Sequence, residues 1–132
     1  MPSISPATHP LLYRAIKDKR WLKLWSAAFR LRKPSEFRPT PETDLSLIVS
    51  DNCTKSVCAA EQRECHGEFV LETQAVLSRA SDKGWQLEKN TPNHVSIVGL
   101  PLYDSDRQVI EDAATALAEL ITAVQPRSLR PD

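Results

Sequence analysis

Apolar residues recur at helical spacing from Trp21 through Leu22, Leu24, Trp25, Ala28, Phe29 and Leu31, with Lys23 and Arg30 on the other side, which predicts an amphipathic helix. Just before it, Leu11 to Ile16 is short enough to serve as an opening strand or as the first turns of that helix, with strand favoured. Leu45 to Ser50 ends in β-branched residues and reads as a buried strand, and Phe69 to Leu71 as a short one. A helix is expected from Ser56 to His66, ended by Gly67, and another from a Thr73 cap through Ala80, stopped by Gly84. Trp85 and Leu87 alternate with Gln86 and Glu88, and the turn Asn90-Thr91-Pro92-Asn93 leads into Val95 to Leu100, so the two runs predict an antiparallel hairpin. The last stripe, Val109, Ile110, Ala113, Leu117, Leu120, Ile121 and Val124, follows Ser105 and Gln108 at capping-box spacing and precedes Pro126. It predicts one amphipathic helix over Ser105 to Val124.

These elements give an α+β domain with a small, mainly antiparallel sheet, a C-terminal amphipathic helix and shorter helices. Three prolines in Met1 to Pro10 make residues 1–10 a flexible leader, and Pro34, Pro39 and Pro41 make Lys33 to Thr43 an extended connection. Residues 11–125 form the single domain and 126–132 a short tail. At 132 residues and 41% hydrophobic content the chain can build one core without disulfides. The absence of a membrane-length apolar run or a secretory signal pattern leads to an expected cytoplasmic location with no membrane partner.

Formal net charge is zero, but its distribution is lopsided. Residues 1–33 hold eight basic side chains against Asp18 alone, a net +7, and residues 34–132 balance it with nine basic against sixteen acidic, a net −7. Such a separation either docks an acidic surface or nucleic-acid phosphates, or is neutralised inside the fold. Lys19, Arg20, Lys23, Arg30, Arg32 and Lys33, with Trp21 and Trp25 among them, form the candidate nucleic-acid surface. The alternative is that both tryptophans anchor the core.

Only three glycines are present, which removes the glycine-rich phosphate loops and dinucleotide folds. Cys53, Cys58, Cys65 and His66 supply the ligand types of a structural zinc site. In a helix, however, Cys58 and Cys65 would stand about 10 Å apart along the axis, so small apolar core positions are the favoured reading and no cofactor is expected. His94 stands where a turn enters a strand, without a matched nucleophile and acid, and no catalytic triad can be assigned.

Tyr13-Arg14-Ala15-Ile16, Ser26-Ala27-Ala28-Phe29, Asp44-Leu45-Ser46, and Pro92-Asn93-His94 before Val98-Gly99 together resemble a loose family of small, uncharacterised bacterial proteins. The resemblance spans most of residues 11–101, brings no established activity, and implies that Arg14, Ser26 and His94 are drawn together and that Tyr13 to Ile16 is a strand. Arg14 followed by Ser26 also looks like the start of the ADP-ribosyltransferase pattern, with Glu68 and Glu72 as positional candidates for its glutamate. Three functions follow in order: a non-catalytic accessory protein acting through a protein partner, nucleic-acid binding through the basic 14–33 region, and a minimal ADP-ribosyltransferase-like enzyme or toxin.

Overall fold

Short runs of alternating or wholly apolar residues gain most when their backbone groups pair across a sheet, and six such runs do so here. The computed structural model describes residues 6–36, 39–49, 66–91 and 94–125. In chain order the strands are β1 (Leu11–Ala15), β2 (Asp44–Ile48), β3 (Glu68–Glu72), β4 (Gln86–Thr91), β5 (His94–Val98) and β6 (Ile121–Gln125). They form one antiparallel sheet in the order β4-β5-β2-β1-β3-β6. Among the described residues two α-helices, α1 (Thr73–Lys83) and α2 (Arg107–Ala118), join the sheet in an α+β fold with a small antiparallel sheet.

Leu12, Leu45, Leu47, Phe69, Leu71, Val95 and Ile97 pack with Val76 of α1 and with Ala113, Ala114 and Leu117 of α2 in the main core. The alanines of α2 let it lie close to the segment around Ala28 and Phe29. Strand neighbours alternate between faces, so Tyr13, Ala15, Ile48 and Val70 form a second buried cluster on the opposite side.

β1 is a strand, as the favoured reading has it, and β4 and β5 form the predicted antiparallel pair. Two elements differ from expectation. The segment Trp21 to Leu31 is not one helix but two 3₁₀ turns, Lys19–Leu22 and Trp25–Phe29, separated by Lys23 and by Leu24 in a non-helical conformation (φ −141°, ψ 89°). Buried Ser26 and Phe29 stand three residues apart, which is the repeat that puts two side chains on one side of a 3₁₀ turn. The last helix ends at Ala118, and Ile121 to Gln125 turns back as β6 beside β3. The β-branched run Ile121, Thr122 and Val124 suits a pleated edge better than a sixth helical turn.

Capping also differs. Asp106, not Ser105, begins α2, its Oδ1 accepting from Gln108 N at 2.9 Å and Val109 N at 3.3 Å. Thr73 is the first residue of α1 rather than its cap; its hydroxyl donates to His9 O and its amide to Pro10 O. Gly84 ends α1 in the left-handed region (φ 77°), as expected. Replacing Asp106 with alanine leaves two amides without their acceptor and is expected to lower stability by about 1 kcal/mol in urea denaturation. The expected Ser56 to His66 helix lies outside the described residues apart from His66, whose amide donates to Ile16 O at 2.9 Å.

Candidate docking cleft

Where β1 runs out, Asp18 stops the chain. Its carboxylate accepts from Arg20 N at 2.9 Å and starts the first 3₁₀ turn. The Arg20 guanidinium also reaches it, with Nη2 donating at 2.7 Å, and these hydrogen bonds hold the Asp18 carboxyl down at about 2. The turn carries Trp21 inward against Arg14, whose guanidinium carbon lies 5.2 Å from the ring centroid.

Arg14 is only 2% exposed, although it sits mid-strand in β1. Its Nε donates to Ala28 O at 2.9 Å and its Nη1 to Ser46 O at 3.1 Å, joining the second 3₁₀ turn to β2. A planar guanidinium can reach two carbonyls and still face a ring, a geometry that an ammonium lacks. Arg14 is thus a buried tie between elements.

The proline-rich connection is closed at its neck. Arg32 N donates to Glu42 Oε1 at 2.7 Å, Glu42 N donates back to Arg32 O at 3.1 Å, and Arg32 Nη2 donates to Oε2 at 3.3 Å. Burial pushes the Glu42 carboxyl up, but the Arg32 hydrogen bonds and charge, with a further pull from Arg14, leave it below the usual carboxylate range. A carboxylate depressed in this way stabilises the fold above its unfolded value, about 4.3, and that contribution disappears as the pH falls through the lower folded value. Between pH 7 and pH 3 the native protein is therefore expected to lose more stability than Glu42→Gln, read from urea midpoints at each pH.

Between the two 3₁₀ turns and this neck lies a half-open cleft of about 730 Å³. Among the described residues five cations line it, Lys17, Arg20, Arg30, Arg32 and Lys33, against one carboxylate, Asp18. Trp21, Leu24, Ala27 and Leu31 supply its apolar surface, and Leu24 is 53% exposed. Arg30 pairs with Glu111 of α2, with Nη2 donating to Oε2 at 2.9 Å. Arg20, Arg30 and Arg32 are thus each paired with a carboxylate of the chain.

Four residues of the candidate nucleic-acid surface, Arg20, Arg30, Arg32 and Lys33, come together in the cleft, whereas Lys19 and Lys23 are exposed outside its lining. Lys17 joins them. The carboxylate partners Glu42 and Glu111 are what sequence reasoning missed, since they lie 10 and 81 residues from their arginines.

Comparison with family models, curated proteins and solved structures finds no match to this chain. Function must be read from its own geometry.

Arg14, Ser26 and His94 do not converge. Tyr13 opposes Ile48, and Ile48 opposes His94, so His94 lies on Tyr13's face of the sheet, whereas Arg14, the next residue along β1, reaches from the other. Buried Ser26 belongs to the 3₁₀ layer on Arg14's side. Glu68 opposes Ala15 and Glu72 opposes Leu11, which puts both glutamates on the face away from Arg14. Cys53, Cys58 and Cys65 lie outside the described residues, and among the described residues no group of three potential metal ligands occurs. Among those residues, too, no helix is long and apolar enough to cross a membrane.

Proposed function

We propose that this protein is a non-catalytic accessory protein of the cytoplasm that docks a partner protein in the cleft beside the two 3₁₀ turns. The partner supplies a segment with an apolar anchor flanked by carboxylates. The observation that carries this reading is Leu24, a large apolar side chain left 53% exposed at the non-helical break between the turns, on the wall of a cleft lined by five cations. An apolar anchor with a polar, charged rim is the usual anatomy of a protein-binding patch.

Nucleic-acid binding is the second reading, favoured by the same five cations. Against it, the exposed apolar side chain on the cleft wall is the aliphatic Leu24, which offers no planar face for a base to stack on but suits the apolar anchor of a protein segment.

The test is to purify tagged protein from its native host with and without nuclease, alongside Leu24→Asp and Lys33→Glu. The expected result is a stoichiometric protein that survives nuclease, is lost with Leu24→Asp and is reduced with Lys33→Glu. Recovery of nucleic acid alone, or of a protein indifferent to both substitutions, would overturn the proposal.

A further inference from the structure

The two sheet edges differ in a way that bears on assembly. At one edge, β4 carries Glu88 and Lys89, and an antiparallel strand pairing with its own copy about a two-fold axis opposes residues of the same face. Glu88 would then meet Glu88 or an uncharged neighbour of the second copy, never Lys89. Charges of this kind are how natural edge strands resist self-pairing.

At the other edge, β6 reads Ile-Thr-Ala-Val-Gln, with no charge and no proline, and Thr122 to Gln125 are exposed. Its register against β3 shifts between Val70 and Leu71, leaving Thr122 as the extra residue while Ala123, Val124 and Gln125 run regularly opposite Val70, Phe69 and Glu68. Val124 is 37% exposed and stands directly beside the fully buried Phe69. On the same side Trp25, 40% exposed, lies against the Phe69 ring at 5.7 Å between centroids. Two exposed apolar side chains therefore flank one buried aromatic at an uncharged edge.

We infer that β6 pairs antiparallel with β6 of a second copy of this chain, with the two-fold axis passing at Val124. That register sets Val124 against its symmetry mate and Ala123 against Gln125 of the second copy. It makes one apolar row, Phe69-Val124-Val124-Phe69, roofed at both ends by Trp25. A β-branched cross-strand pair next to an aromatic is a favourable sheet contact, and no like charges oppose each other in it. This inference does not depend on the docking cleft, because Leu24 and the cationic lining take no part in it.

The pairing is tested by sedimentation velocity over a wide concentration range and by thiol crosslinking. The native chain is expected to dimerise. Val124→Lys, which brings two ammonium groups together at the axis, is expected to weaken the dimer at least tenfold with an unchanged circular dichroism spectrum, while Glu88→Gln at the opposite edge leaves it intact. Strands paired in this register hold opposed Cα atoms at about 4.5 to 5.5 Å, within disulfide reach. Under mild oxidation Val124→Cys should therefore form a covalent dimer beyond any seen for the native chain, and Ala123→Cys, facing Gln125, should not. A monomer at every concentration, whether the edge is then open or taken by another protein, overturns the inference. So does equal crosslinking at positions 123 and 124.

Discussion

Replacing Arg14 with alanine is expected to lower the free energy of unfolding by about 3 kcal/mol or more, the largest effect of any single polar substitution in this fold. The side chain is 2% exposed, and its loss leaves Ala28 O and Ser46 O without these donors. It also empties the space against Trp21 and removes a positive charge that helps keep Glu42 ionised. Arg14→Met restores most of the apolar stem but neither hydrogen bond, so it should recover roughly half of the loss. Arg14→Lys keeps the charge and should still be markedly destabilised, because one ammonium cannot bridge both carbonyls from the ring face. Urea denaturation of the three variants, followed by circular dichroism, ranks them. Equal stability of Arg14→Ala and the native chain would show that the tie between β1, β2 and the second 3₁₀ turn is not needed.

Phe69→Ala is expected to cost about 3 to 5 kcal/mol, the usual range for deleting a fully buried aromatic. Phe69 is wholly buried in β3 and touches both aromatic residues of the second 3₁₀ turn, Trp25 at 5.7 Å and Phe29 at 6.3 Å between ring centroids. Because a short 3₁₀ turn has little stability of its own, these ring contacts are a main reason that the turn stays on the sheet. A double-mutant cycle with Trp25→Leu should show a coupling of about 0.5 to 1.5 kcal/mol. No coupling would mean that Trp25 and Phe69 are neighbours without being partners.

The sheet was readable where the local pattern had one solution. Leu45 and Leu47 within a short β-branched run, and the alternation from Trp85 to Glu88 before a polar turn, have no comparable helical reading and become β2 and β4. Trp21 to Leu31 was misread because apolar residues three and four apart satisfy a helix and a pair of 3₁₀ turns alike. The choice between them is made by Arg14, which reaches Ala28 O from another strand. β6 was absorbed into the preceding stripe since Leu117, Leu120, Ile121 and Val124 continue a helical spacing, and only its pairing with β3 draws it away.

The site was legible in part. The basic run announced a cationic surface, yet Glu42 and Glu111, which neutralise part of it, are brought in by the neck of the proline-rich connection and by α2. The separation of His94 from Arg14 follows from strand parity across β1, β2 and β5, a property of register rather than of residue type.

The docking reading is tested most directly by fluorescence anisotropy of two labelled probes of equal charge, a peptide of alternating leucine and glutamate and a single-stranded oligonucleotide, each at low and moderate salt. The account predicts that the peptide binds, that Leu24→Asp weakens it at least tenfold, and that the oligonucleotide binds more weakly than the peptide. Failure of the peptide to bind, indifference to Leu24→Asp, or tighter oligonucleotide binding with a steep salt dependence would contradict it.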